Sequence, residues 1–185
     1  YAGVLGAYFL GDIAEVKVWQ RALDATEIAP MAGTLAGRWT TDMHGFDDSG
    51  YARHTTTTGT PSYVVGQVSE AVHLSGSSQA LDTAGPPVRS DQPLTVSAWV
   101  RLAASGPTRV AVSQAGTTQS AYRLLYDGGT NKWAFSVPSA DGGWPTWQNQ
   151  YSTATAATNT WVHLAGVYDR PAGKVRLYVN GVEQG

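Results

Sequence analysis

The sequence contains no cysteine, which excludes disulfide bonds, thiol catalysis and cysteine-ligated metal sites. Charged residues are also sparse, at 14% of the chain, and the net charge of −2 comes without any block of like charge. A basic surface for nucleic acid or for an anionic membrane is therefore not expected. No apolar run is long enough to span a bilayer as a helix, and no signal peptide is recognisable.

Aromatic residues are unevenly divided among the three types, with seven Trp and nine Tyr against three Phe. Trp and Tyr combine an apolar ring with a polar edge, which suits half-exposed sheet faces and ligand-binding platforms. The alternative is that the strands of a sandwich favour aromatic residues for packing alone. A chain of 185 residues fits one all-β domain, or one domain plus a fragment, with a full hydrophobic core.

Residues 160–181 predict two antiparallel strands joined by a tight turn. The first strand has apolar groups on both faces, which is typical of a central strand covered on both sides. Pro171 and Gly173 supply turn chemistry, and the second strand alternates apolar with polar residues. Asn180–Gly181 indicates another hairpin. Short strands with Gly-containing turns also occupy residues 94–137, so the sequence predicts an antiparallel β-sandwich.

One short helix is expected near residues 24–29. Asp24 fits an N-cap, and Glu27, three residues later, fits its capping-box partner. Pro30 and Gly33 are expected to end this helix.

Five sequence blocks carry a resemblance to a known family. The blocks W-V-H-L-A-G-V-Y-D and V-R-L-Y-V-N-G, within residues 161–181, resemble motifs of laminin-G-like domains in the concanavalin-A-like lectin/glucanase superfamily. Residues 9–28 resemble the closing strand and following helix of that family, residues 66–76 resemble its G-x-x-G-x-A-L-x-F-x-G strand, and residues 94–100 resemble its F-T-V-S-A-W-V strand. The resemblance implies an all-β jelly roll of the concanavalin-A-like type.

The order of these blocks is inverted, because the closing strand ends the domain in the family but comes first here. We interpret residues 1–34 as the closing strand, short helix and linker of a laminin-G-like unit, packed into the same sandwich as in a circular permutant. Residues 35–185 would form its body. Two alternatives stay open: the chain straddles two tandem domains, or the strand is swapped with a neighbouring chain. The family has a further strand after the position of Gly185 and before the closing strand, so we expect a piece of a longer protein unless Tyr1–Tyr8 supplies part of that strand.

The resemblance implies a structural calcium ion at the loop D-x-S-G, which starts at Asp47. The candidate ligands are Asp47, Asp48 and Asp12, and Ala14 stands where the family usually has an acid. Calcium takes six to eight oxygen ligands at about 2.3–2.6 Å. The alternative from the residues alone is an Asx-turn without a metal ion.

The longest irregular stretch, residues 139–159, is the best candidate for a ligand-binding surface. Its rings could stack on sugar C–H faces, and its polar groups could bond sugar hydroxyls. The alternative is that its two Trp side chains fold back and close the edge of the sandwich. The candidate residues are Trp144, Trp147, Tyr151, Asp141, Gln148 and Asn149.

Glycoside hydrolysis is not expected, because retaining glycosidases need two carboxyl groups about 5–5.5 Å apart. The four Glu are isolated in the sequence, and regular alternation would place Asp12 and Glu15 on opposite faces of one strand. A nucleophile elbow is also missing. The sequence therefore predicts a non-catalytic binding or adhesion module of a larger extracellular protein. Its partners would be a glycan or an extracellular protein, beside neighbouring laminin-G-like domains. A structural tandem spacer and a glycoside hydrolase are the alternatives.

Overall fold

The computed structural model describes residues 8–24, 35–42 and 45–185. This part of the chain contains strands and no helix, and its strands pair antiparallel, as predicted. The helix expected near residues 24–29 lies outside the described residues, apart from Asp24. The strands are β1 (Leu10–Trp19), β2 (Gly37–Trp39), β3 (Thr55–Thr58), β4 (Ser62–Val65), β5 (Glu70–Ser75), β6 (Ala80–Thr83), β7 (Leu94–Leu102), β8 (Arg109–Ala115), β9 (Ser120–Asp127), β10 (Lys132–Pro138), β11 (Trp147–Thr155), β12 (Trp161–Asp169), β13 (Lys174–Val179) and β14 (Val182–Gln184).

The described strands form two packed sheets and a separate pair. The large sheet has the order β14-β13-β12-β7-β1-β5-β4, with β2 also paired to β1. The small sheet has the order β11-β10-β9-β8, and β3 pairs with β6. One continuous apolar core contains residues from both packed sheets, including Val96, Val100, Tyr122 and Phe135. The predicted antiparallel β-sandwich is therefore confirmed.

Close packing between the two sheets requires a glycine in β12. A Cβ atom on Gly166 would overlap the ring of Phe135, which stands on β10 and is fully buried. The position of Gly166 is thus explained by the approach of the opposite sheet and not by a turn. Strand β12 lies between β7 and β13, which confirms the prediction that it is central.

Strand β1 lies inside the large sheet of its own chain. It pairs with β5 over Leu10–Ile13 and with β7 over Gly11–Trp19. After β1, Leu23 is buried against Trp19, Val167 and other residues on the outer face of this sheet. Both faces of the sheet are thus covered at Ala165 and Val167 of β12. How residues 1–34 and 35–185 divide into domains, by permutation or by a tandem junction, stays a prediction.

A β-bulge in β1 corrects one prediction from the sequence. The regular alternation assumed for this strand would place Ile13 and Val18 on opposite faces, but both side chains belong to the core. The pairing with β7 shifts between Ala14 and Lys17, and Glu15 has a φ of 51° within the bulge. The bulge adds a residue to β1, so the alternation restarts in the opposite phase.

No helix in the described part of the chain has the length and hydropathy that crossing a membrane requires.

Candidate functional site

Strand β11 places Trp147, Asn149 and Tyr151 on one face of the small sheet. These residues are two apart, and alternate residues of a strand point the same way. They pair with Pro138, Ser136 and Ala134 of β10, whose intervening side chains Trp133, Phe135 and Val137 belong to the core. The three predicted residues therefore face away from the core. Ala134 and Ser136 are small and buried, so the larger side chains of β11 stand above them.

Arg123 lies on the same face and was not predicted. Its partner across β9 and β10 is Ser136, and its guanidinium carbon is 3.6 Å from the centroid of the Trp147 ring. Burial lowers the pKa of Arg123, although Tyr151 and Asp127 oppose this shift. For Tyr151, burial raises the pKa of the phenol. Asp127 adds to this rise, and Arg123 opposes it.

The sequence contained a signal for Arg123. It stands between Tyr122 and Leu124, which are fully buried in the core, so alternation along β9 directs it outward. Its Nε atom is buried and has no hydrogen-bond partner within the described residues. We call the surface formed by Arg123, Ser136, Trp147, Asn149 and Tyr151 the small-sheet face.

Asp141 belongs to the support of a turn and not to the small-sheet face. Its carboxylate accepts hydrogen bonds from the backbone N–H groups of Thr117, Thr118 and Gln119, at 2.5, 2.8 and 3.0 Å. The bonds from Thr118, Thr117 and Gln119 hold the pKa of Asp141 well below its ordinary value. Asp141 therefore fixes the turn between β8 and β9, and these bonds occupy both carboxylate oxygens.

The six predicted residues do not form one cluster. Gln148 pairs with Val137, so it lies on the opposite side of β11 from Trp147. Trp144 is fully exposed in the loop before β11 and does not close the edge of the sandwich. Trp147 lies at the outer surface beneath Arg123. Three of the six residues thus share a face, and the other three lie apart from it.

The loop at Asp47 has the contacts of an Asx-turn. Oδ1 of Asp47 accepts N–H bonds from Arg38 and Ser49 at 3.0 and 2.9 Å, and Oδ2 accepts one from Arg53 at 3.0 Å. Burial opposes ionisation, but the bonds from Ser49, Arg38 and Arg53 dominate and lower the pKa of Asp47. Asp48 is exposed in the same turn.

Both carboxylate oxygens of Asp12 also contact side chains of the protein. Its Oδ2 accepts a hydrogen bond from Arg101 Nε at 2.5 Å, and its Oδ1 lies 2.7 Å from His73 Nδ1. Residues 8–24, 35–42 and 45–185 hold no group of three or more His, Asp or Glu that could bind a metal ion. The described residues therefore do not fit a calcium site built from Asp12, Asp47 and Asp48, and they favour the metal-free turn.

Comparison with known proteins places the small sheet within a family. A laminin G family model, described as concanavalin A-like lectin/glucanases superfamily, matches residues 75–185, which is more than half of the chain. The matched region contains strands β6 to β14 and thus all four strands of the small sheet. Searches of curated proteins and of solved structures returned no match.

Proposed function

Because the chain belongs to the concanavalin A-like lectin/glucanase superfamily, as its motifs predicted, we propose that it is a non-catalytic carbohydrate-binding module. The observation that carries the proposal is the arrangement of the small-sheet face. Two aromatic rings, Trp147 and Tyr151, stand on either side of Asn149 along one strand, and Arg123 lies against the first ring. The proposed ligand lies along β11 on this face.

The chemistry of the face suits a sugar chain. Aromatic rings offer apolar contact to the C–H faces of sugars, and they lose little conformational entropy on binding because they have two side-chain torsions. Asn149 and Arg123 offer hydrogen-bond groups for hydroxyls. Tyr151 follows Trp147 by four positions, a distance of about 13 Å along a strand. This length favours an oligosaccharide over a single sugar.

The proposal that the module is non-catalytic is supported by the carboxylates of the small-sheet face. Among the described residues of its four strands that point outward, Asp127 is the one carboxylate. Oδ1 of Asp127 accepts hydrogen bonds from the N–H and Oγ1 of Thr130, at 2.8 and 3.1 Å. Glycoside hydrolysis requires a pair of carboxyl groups.

The test is binding of the purified protein to a panel of soluble plant and microbial polysaccharides, followed by tryptophan fluorescence and affinity electrophoresis. We expect Trp147→Ala and Tyr151→Ala each to lower the affinity for the polysaccharide by tenfold or more. Each substitution removes the stacking of an aromatic ring on a sugar and the apolar area that the ring buries. Val65→Ala is the control, because Val65 is exposed on β4, the edge strand of the large sheet, and lies outside the small-sheet face. This variant should bind as the unmodified protein does.

The remaining hypotheses make different predictions in the same assay. If no polysaccharide binds and Trp147→Ala changes nothing, a structural tandem spacer explains the protein better. Release of a chromophore from aryl glycosides, retained on repurification, would instead favour a hydrolase. Trp144→Ala tests whether the exposed loop before β11 contributes to binding. If the ligand binds only to the small-sheet face, this variant should bind as the unmodified protein does.

The cellular setting of the module is part of the proposal. We propose that it is one unit of a larger extracellular or cell-surface protein, beside other laminin-G-like domains, with a glycan or an extracellular protein as its partner. The inverted order of the motifs and the family membership of residues 75–185 support this setting. Binding to intact cells or matrix extracts, with Trp147→Ala as the comparison, tests it.

A further inference from the structure

Four side chains form a row across the large sheet, on the face that points away from the core. Strand pairing sets His73 beside Asp12, Asp12 beside Arg101, and Arg101 beside Trp161. The residues next to them along β1, β5, β7 and β12 belong to the core, so these four point outward. Three strand spacings of about 4.8 Å give the row a length of about 14 Å. We call it the large-sheet row.

A buried carboxylate organises the row. The Asp12 side chain is 5% exposed, whereas its partners His73 and Arg101 are 39% and 34% exposed. Asp12 fixes both of them, through His73 Nδ1 at 2.7 Å and Arg101 Nε at 2.5 Å. Each partner is thereby held by one inner nitrogen, Nδ1 of His73 or Nε of Arg101, while its side chain stays more than a third exposed. The outer nitrogens are Nε2 of His73 and the two Nη atoms of Arg101.

The outer nitrogens supply one donor and one acceptor. In the tautomer that carries its proton on Nδ1 and donates it to Asp12, His73 has a lone pair on Nε2. The two Nη groups of Arg101 can only donate. In the described part of the chain, no hydrogen-bond partner is found for His73 Nε2 or for Arg101 Nη1 and Nη2. A hydroxyl group, which both donates and accepts, matches this pair of groups.

Aromatic rings border the donor and the acceptor. The guanidinium carbon of Arg101 is 5.1 Å from the Trp161 ring centroid, and in the adjacent row the Trp99 and His163 centroids are 5.2 Å apart. Trp99, Trp161 and His163 are half-buried. The negative charge of Asp12 offsets the positive charge of Arg101, so the row has little net attraction for an anion.

We propose that the large-sheet row is a second saccharide site, which takes a neutral sugar with its hydroxyls at His73 and Arg101 and its ring against Trp161. The choice of saccharide as ligand class rests on the proposed function. The location does not, because the row lies on the other sheet from Trp147. A module with one site on each outer face is bivalent and can cross-link polysaccharide chains, which raises apparent affinity by about 10² or more.

The experiment uses three neutral polymers, mixed-linkage β-glucan, xylan and galactomannan, with polygalacturonate as an anionic comparison. Affinity electrophoresis measures binding, and turbidity measures cross-linking. For a polymer that binds, we expect Trp161→Ala and His73→Gln to abolish turbidity and to lower apparent affinity by about 10². Trp161→Phe, which keeps a ring, should retain most of both signals. The Trp147→Ala/Trp161→Ala double variant should bind nothing.

The two sites can fail separately. If Trp161→Ala and His73→Gln behave like the unmodified protein while Trp147→Ala loses binding, the second site is refuted and the proposed function stands. If only the large-sheet variants lose binding, the row is upheld and the small-sheet face is not the ligand site. Preference for polygalacturonate at the row would overturn the neutral ligand class, and no binding to any polymer would overturn both proposals. Equal thermal melting of Trp161→Ala and Trp161→Phe would show that lost binding is not unfolding.

Discussion

Replacing Asp12 with Asn should destabilise the protein by about 1.5–3 kcal/mol. The substitution keeps the size of a buried side chain but removes the charge that Arg101 and His73 contact at 2.5 and 2.7 Å. Hydrogen bonds to a charged group contribute about 1.5–3 kcal/mol each. Two such bonds would give about 3–6 kcal/mol. We halve this sum because both partners are more than a third exposed and water can replace part of the lost interaction.

Urea denaturation followed by tryptophan fluorescence measures this effect. With a slope of about 2–3 kcal/mol per molar urea, the midpoint should fall by about 1 M, and the melting temperature by about 5–10 °C. Combining Asp12→Asn with Arg101→Gln should give less than the sum of the two single effects, because the pair shares one interaction. Asp91→Asn, which breaks the exposed pair with Arg89, is the control and should leave the midpoint unchanged. An Asp12→Asn midpoint equal to that of the unmodified protein would refute the reasoning that this buried carboxylate stabilises the large sheet.

Three further predictions concern stability. Gly166→Ala should cost at least about 1–3 kcal/mol in urea denaturation, because its methyl group would overlap Phe135; unchanged stability would show that the sheets can separate there. Burial, with a smaller effect of Lys17, lowers the pKa of His163 to about 4, from an ordinary 6.5. Stability should therefore be complete above about pH 6.5 and fall by up to about 3 kcal/mol as the pH drops to 4. His163→Phe should remove this component, and an identical pH profile in that variant would contradict the assignment. Millimolar calcium after EDTA treatment should leave the melting temperature unchanged, since Asp47 already accepts three backbone N–H bonds; a rise that Asp47→Ala abolishes would instead establish the calcium site implied by the resemblance.

Much of the fold could be predicted because the relevant pattern is local. Strand β13 alternates apolar and polar residues, and β12 is apolar on both faces. Each pattern therefore predicts which faces of the strand are buried. The prediction failed in β1, where Glu15 adopts a positive φ and the bulge reverses the alternation. Nothing in the residue types around Glu15 marks that position as a bulge.

The candidate site was predicted only in part, for a similar reason. Trp147, Asn149 and Tyr151 were identified from their unusual composition, and their spacing of two residues places them on one face. Arg123 was missed because it reaches Trp147 from another strand. Asp141 was predicted to belong to the ligand-binding surface, whereas its carboxylate accepts hydrogen bonds from a turn that lies 22 to 24 residues earlier in the chain. Such contacts depend on how strands and loops are brought together.

The sequence by itself determined an antiparallel β-sandwich, because alternation and turn chemistry act between near neighbours in the chain. Its concanavalin A-like type was implied by the resemblance of its motifs to laminin-G-like domains, and the family model confirms it. Only the tertiary structure decided which side chains meet. His73 and Arg101 lie 61 and 89 residues from Asp12, yet strand register sets all three side by side. Register is settled by the packing of whole sheets against one core, and a shift of one residue would turn every side chain of a strand to the other face.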